Sequence, residues 1–201
     1  MNGQPPEKLP ELEQYGLIAC TDGAFHYLKS MDFPLDQLNF ISGDFDSHSG
    51  SDELLYAEKF MHTPDQEKTD FQKALEILVE KGASNLDVYG GSGGEMDHFL
   101  GNLTVAFHFK NLIDLKFYDA FSEYYFIKSN FTLENVQNKM ISLYPFPTVK
   151  KIITKGLNWE LNGEDLDMHN RIGTRNFAVQ NKIEISYEAG ELLIFVGRDY
   201  L

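Results

Sequence analysis

Apolar positions in the first half of the chain fall in short runs. Each run ends in glycine, aspartate or a polar turn before a helical stripe begins. Residues 16–20 read as a short buried strand running out into Thr21-Asp22-Gly23-Ala24, after which Phe25, Leu28 and Met31 recur every third residue, as on a helix. Leu38, Phe40 and Ile41 form a second apolar run, closed by Gly43 and followed by Asp44-Phe45-Asp46-Ser47. Residues 52–60 carry a short helical pattern, and 59–62 a further strand-like run. Phe71, Ala74, Leu75, Leu78 and Val79 then trace the i, i+3, i+4, i+7, i+8 stripe of an amphipathic helix. Thr69 is placed to cap its start and Gly82 to end it. Residues 86–89 lead through Gly90-Gly-Ser-Gly-Gly-Glu-Met-Asp-His98 into a helix carrying Phe99, Leu100, Leu103 and Phe107, and 113–118 close the series. Strands alternating with helices predict a parallel sheet with helices on its faces.

From about residue 120 the pattern changes. Short β-type runs at 124–127, 140–144, 149–154, 182–187 and 192–196 are separated by Asn, Pro, Gly and Glu, without helical stripes. The expected organisation is an α/β domain over residues 1–120, followed by a small all-β sandwich or barrel over 121–201.

The net charge of −14 disfavours nonspecific nucleic-acid binding and attachment to anionic membranes. A nucleotide ligand stays compatible, because Mg²⁺ neutralises phosphate against carboxylate. With Cys20 as the one cysteine, no intrachain disulfide forms; in its apolar run it reads as a small core residue. No stretch approaches the roughly 18 to 20 apolar residues of a membrane span. The start of the chain is polar and proline-rich, unlike a signal peptide, so a cytoplasmic protein is expected.

Asp44 and Asp46 stand just past a strand, where ligands bind in open α/β sheets. Two carboxylates at i and i+2 turn toward one hard cation with Gly43 freeing the backbone, and Mg²⁺ takes one or two carboxylates plus waters and phosphates. A solvated Asp-rich turn explains the same residues. Asp22 occupies the equivalent place after the preceding strand, where plain helix capping accounts for it. The glycine-rich loop at 90–94 suits backbone amides approaching a phosphate. It lacks the Gly-Lys-Ser/Thr ending of a Walker A loop and fits GxGxxG poorly, and a flexible loop explains it as well.

Taken in order, Thr21-Asp-Gly-Ala24, Gly43-Asp-Phe-Asp-Ser47, Asp65-Gln-Glu-Lys-Thr-Asp70 and Gly93-Gly-Glu-Met-Asp-His98 with Asn102 resemble the signature segments of the thiamine pyrophosphokinase family. Gly156-Leu-Asn-Trp-Glu-Leu161, Gly173-Thr-Arg-Asn176 and the closing Gly190-Glu-Leu-Leu-Ile194 extend the resemblance over nearly the whole chain. Two positions depart from the family pattern: Glu95 stands where an arginine is frequent, and Arg175-Asn176 where Ser-Asn is frequent. The family's first strand normally precedes an Asn-Gly such as Asn2-Gly3, so the resemblance implies that this strand is shortened or absent.

The resemblance implies an α/β catalytic domain, a β domain, and a homodimer with thiamine bound between domains and across subunits. The implied reaction converts ATP and thiamine to AMP and thiamine diphosphate with Mg²⁺. On that reading Asp22, Asp44, Asp46 and Asp70 hold the metal, and Asp44, Asp46, Asp70 and Asp97 serve catalysis. Gly23, Gln66, Lys68, Thr69, Gly91, Gly93, Gly94 and His98 join Asp22 around ATP. Trp159, Thr174 and Asn176 face thiamine. Asn158 and Glu160 flank Trp159, and strand alternation places its ring opposite them, toward a core or a cleft. Two other readings compete. A nucleotide-sugar transferase would use Asp44-Phe-Asp46 as a metal-binding DxD but leaves Asp70 and Asp97-His98 unexplained. A non-catalytic thiamine sensor has no need of so many carboxylates.

Overall fold

The computed structural model of the chain describes residues 1, 3–44, 56–63 and 65–200, with the side chains of 199 and 200 left aside. It divides into two compact units, Met1–Leu115 and Lys116–Leu201.

In the first unit, strands β1 (Ala19–Thr21), β2 (Phe40–Gly43) and β3 (Phe60–His62) form a parallel sheet in that order. The predicted parallel sheet with flanking helices is present, but β1 starts at Ala19 rather than residue 16. Strand β4 (Asn85–Tyr89) pairs with β5 (Asp114–Tyr118) and not with the three-stranded sheet. Helix α1 (Asp22–Ser30) follows β1 directly and buries Ala24, Phe25 and Leu28. These side chains join Cys20, Phe33, Leu35, Leu38 and Ile41 in one core cluster, so Cys20 is a core residue as expected. Helix α2 (Asp70–Glu80) buries Phe71, Ala74, Leu75 and Leu78, the stripe read from the sequence. Its cap is Thr69, whose side chain accepts from the Gln72 amide at 3.2 Å, and the chain turns away at Gly82 in the left-handed region. Helix α3 (Met96–Phe109) follows the glycine-rich loop. The short helix expected over 52–60 falls mostly outside the described residues; within them, Ala57–Lys59 is a single 3₁₀ turn.

The second unit is all-β and is organised on one long strand. β8 (Lys139–Lys155) pairs antiparallel with β9 (Asn162–Asp167), β10 (Gly173–Phe177), β11 (Lys182–Ser186) and β12 (Ala189–Tyr200). β6 (Ser122–Ile127) pairs with β12, and β7 (Asn130–Glu134) with β11. The sequence suggested two strands, 140–144 and 149–154, because Pro145 and Pro147 lie between them. Proline removes a ladder donor but is tolerated at bulges and edges, and here the ladder continues past both, with a register shift between Val149 and Ile152. The β9 and β10 strands, short and rich in polar residues, carry too little alternation to be read as strands in advance, whereas β7 does alternate, with Phe131 and Leu133 between polar neighbours, and is legible though not among the expected runs. Ile141, Leu143, Val149, Ile152, Leu166, Ile183, Ile185, Leu192 and Ile194 form the core of this unit.

Candidate active site

The parallel register of β1 and β2 sets Thr21 opposite Ser42, so the residues following each strand leave the sheet together. Asp22 is the first residue of α1 and is nearly buried, at 6% exposure. Thr21 takes the capping position, which corrects the capping role considered for Asp22; the Asp22 carboxylate instead accepts from the Gly23 amide at 2.6 Å. Room for it comes from Gly43: a Cβ there would lie 2.4 Å from the Asp22 Cγ. Asp44 follows at once and accepts a hydrogen bond from the Gln66 amide at 3.1 Å. Asp46 lies outside the described residues.

Asp70 reaches the same rim by another route. Its carboxylate pairs with the Lys73 ammonium at 3.0 Å, and Lys73 donates to the Thr63 carbonyl at 2.8 Å. Thr63 in turn donates to the Gly43 carbonyl from its amide, at 3.0 Å, and from its hydroxyl, at 3.2 Å. The predicted Asp22, Asp44, Gln66 and Asp70 are therefore tied to one backbone position, Gly43, at the carboxyl ends of β1 and β2. Lys73, 5% exposed, was not anticipated. Buried lysines are rare unless paired. The available signal was its i,i+3 spacing from Asp70, next to the apolar positions of α2. Lys68 pairs with Glu76 at 2.9 Å, with Asp65 at 3.9 Å, and the Glu76 hydrogen bond raises its pKa.

The loop after β4 is held from behind. The carbonyls of Gly90, Gly91 and Ser92 accept from the Gly3 amide, the Asn102 side chain and the Gln4 amide, at 2.8, 2.9 and 2.8 Å. A trans peptide sets each N–H opposite the preceding carbonyl. The amides of Gly91, Ser92 and Gly93 thus point away from those partners. Gly93 and Gly94 are exposed. At the start of α3, potential ligand atoms of Glu95, Asp97 and His98 lie within 4.8 Å of one another, all on exposed residues. The Asp97 carboxylate accepts from the His98 amide at 2.9 Å, and His98 Nε2 stands 3.7 Å from Glu95. The structure groups these residues as their own cluster.

In the second unit, residues 156–161 form a bend and not the β-type run expected. Only Leu157 makes a bridge, to Ala178. Trp159 is consequently 61% exposed, neither core nor strand-borne, with its ring edge-on to Phe177 at 5.6 Å. Asn176 fixes that bend: its side chain accepts from the Trp159 amide at 3.2 Å and donates to the Trp159 carbonyl at 2.8 Å. Thr174 is exposed on β10. Arg175 sits in the left-handed region, its amide donating to Ser142 Oγ at 2.9 Å and its guanidinium to the Met140 sulfur at 3.4 Å.

Residues 10–117, more than half of the chain, match the family model described as thiamin pyrophosphokinase, catalytic domain, and residues 128–192 match thiamin pyrophosphokinase, vitamin B1 binding domain. The chain is 25% identical over 210 residues to thiamine pyrophosphokinase of Bacillus subtilis, covering 98% of this chain and 96% of that one. It is 29% identical over 121 residues to thiamin pyrophosphokinase 1 of Caenorhabditis elegans, covering 54% and 49%. Two crystal structures share the fold: thiamine pyrophosphokinase of B. subtilis (TM-score 0.81, 22% identity, 98% and 96% covered) and thiamin pyrophosphokinase of Candida albicans (0.80, 14%, 94% and 83%). With both of its units matched by models of one family, the chain belongs to the thiamin pyrophosphokinase family.

Proposed function

We infer that the chain transfers the diphosphoryl group of ATP to the hydroxyl of thiamine, giving AMP and thiamine diphosphate. Family membership supports the reaction, and the convergence of Asp22, Asp44 and Asp70 on Gly43 is the observation that favours these residues as its carriers. In the transfer the thiamine hydroxyl oxygen attacks the β-phosphorus of ATP. The bond from that phosphorus to the oxygen bridging the α-phosphorus breaks, and AMP leaves with that oxygen.

Such a step depends on alignment and charge neutralisation more than on covalent help. Mg²⁺ fits the donor set, since hard carboxylate oxygens are what it takes and Gly43 leaves the space a side chain would fill beside Asp22. Asp22, Asp44, Asp46 and Asp70 would hold the ion, and the ion supplies charge neutralisation of the triphosphate. Gln66 orients Asp44, and Lys73 orients Asp70. The backbone amides of residues 91–94 bind phosphate oxygens, and Asp97 and His98 flank the nucleotide. Trp159 offers an aromatic face to the cationic thiazolium, worth about 0.5 to 2 kcal/mol, with Asn176 holding it and Thr174 beside it.

The two competing readings receive no support: a sugar transferase does not account for a vitamin B1 binding domain match, nor a sensor for the catalytic one. This reading includes a homodimer and a cytoplasmic location, where ATP is supplied. Met96 and Leu100, 64% and 58% exposed one turn apart on α3, offer an apolar surface for self-association. No helix among the described residues is long and apolar enough to cross a membrane. The test is chromatography of a reaction with thiamine. Thiamine diphosphate is expected only when both ATP and Mg²⁺ are present, and its absence under those conditions overturns the reading.

A further inference from the structure

Glu76 stands in the second turn of α2 and uses both of its carboxylate oxygens. One accepts from the Gln72 side-chain amide at 3.2 Å, one turn back on the same helix face. The other accepts from the Lys68 ammonium at 2.9 Å. Lys68 precedes the Thr69 cap, so this pairing spans the entry of the helix. The Asp65 carboxylate approaches the same ammonium at 3.9 Å and accepts from the Glu67 amide at 2.9 Å. The segment 65–69 is thereby drawn onto the helix, and it carries Gln66, the donor to Asp44, between Asp65 and Lys68. Glu76 thus reaches the acidic rim through the segment that leads into Asp70.

Stability is a poor account of this arrangement. The Lys68 and Glu76 side chains are 37% and 35% exposed, and ion pairs in contact with water contribute little. What the pairing does is fix a long side chain. A lysine that moves freely in solvent loses rotamer freedom when it takes a ligand; one already held by a carboxylate on a helix has lost that freedom on folding. The ammonium has three donors and no acceptor. Among the described residues it donates one hydrogen bond, to Glu76, which leaves donors for an oxygen of another anion. That bond also raises the Lys68 pKa, so the charge is kept. Lys73, the other cation at the start of α2, is nearly buried and is committed to Asp70 and the Thr63 carbonyl.

We propose that Glu76 is a positioning residue for the phosphate chain of ATP: it holds the Lys68 ammonium beside the Asp44 and Asp70 rim, where Lys68 takes a phosphate oxygen. The inference rests on the proposed reaction for the identity of the nucleotide and not for the acceptor.

The test is calorimetric titration of the full chain with Mg-ATP in the absence of thiamine. Lys68→Met should weaken binding by about 10-fold, the scale of one charge-assisted hydrogen bond. Glu76→Leu, which keeps a good helix former in α2, should weaken it by about 3-fold or more, with the urea midpoint little changed. The two losses should not add: the double variant should bind no more weakly than Lys68→Met, because without the ammonium Glu76 has nothing to place. Additive losses would overturn the proposal, as would wild-type binding in either single variant. Tighter binding in Glu76→Leu would overturn it too, since Glu76 would then withhold Lys68 from the nucleotide. Product formation is followed separately on the wild-type chain. Binding with the expected pattern but no thiamine diphosphate would remove the transfer reaction and leave the role of Glu76 standing; a wild-type chain that does not bind Mg-ATP would overturn both.

Discussion

Gly43 and Asp22 are in contact across the ends of two parallel strands: a Cβ on Gly43 would stand 2.4 Å from the Asp22 Cγ and 2.6 Å from its Oδ2. The glycine is required by this approach and not by an unusual backbone angle. Gly43→Ala should therefore displace the Asp22 carboxylate. We expect a stability loss of about 1 to 3 kcal/mol, typical of overpacking, in a denaturant titration, and a fall in kcat/KM larger than that loss explains. Wild-type turnover in Gly43→Ala would remove Asp22 from the site.

Asp44→Ala and Asp22→Ala should each lower kcat by more than about 100-fold, as loss of transition-state charge stabilisation does, while cooperative unfolding persists. Asp46→Ala should match them. Near wild-type rates for Asp44→Ala and Asp46→Ala together would reduce the segment after β2 to an ordinary turn.

Lys73 holds Asp70 and the Thr63 carbonyl from a nearly buried position. Lys73→Met removes the partner of both. Stability should fall by about 1 to 3 kcal/mol, the range for leaving buried polar groups unsatisfied, and the KM for Mg-ATP should rise while the KM for thiamine holds. A variant that loses stability with both KM values unchanged would make Lys73 structural only.

Trp159 is the single tryptophan of the sequence and is 61% exposed, so any tryptophan emission change is assignable to it. Titrating thiamine should quench the emission saturably, and Trp159→Phe should weaken thiamine affinity while leaving ATP affinity alone. Asn176→Ala frees the bend that carries the indole and should shrink the quench. Unchanged emission at saturating thiamine, in a sample that turns over, would move the thiamine pocket away from this bend.

The buried Met1 ammonium has its pKa lowered from 8.0 to about 6 by desolvation. Between these values the unfolded chain holds the proton and the folded chain does not, so this group makes stability rise with pH from about 6 to 8. Thermal unfolding of the chain and of its N-terminally acetylated form should diverge most below pH 6, with the acetylated form the more stable, and converge above pH 8. Parallel curves across the whole range would mean that the amine is solvated.

The parts of this fold that were legible in the sequence are those fixed by local periodicity and turn chemistry. The α2 stripe from Phe71 to Leu78, its Thr69 cap, the strand ending at Gly43 and the glycine-rich entry to α3 all follow from neighbouring residues. What escaped reading depends on distant partners. The bend at Trp159 is set by Asn176, seventeen residues later, and nothing local distinguishes it from a strand. Lys73 finds a carbonyl ten residues earlier. The long β8 survives two prolines because four other strands pair along it. In the candidate site the residue types were legible; the hub at Gly43 appears only once β1 and β2 are laid in register.

The central claim is diphosphoryl transfer at the Asp22-Asp44-Asp70 rim, and the most direct measurement is the phosphorus NMR spectrum of the products formed from thiamine and Mg-ATP. Equal amounts of AMP and thiamine diphosphate are predicted, both lost in Asp44→Ala. ADP with thiamine monophosphate would contradict the account, because attack would then have fallen on the γ-phosphorus.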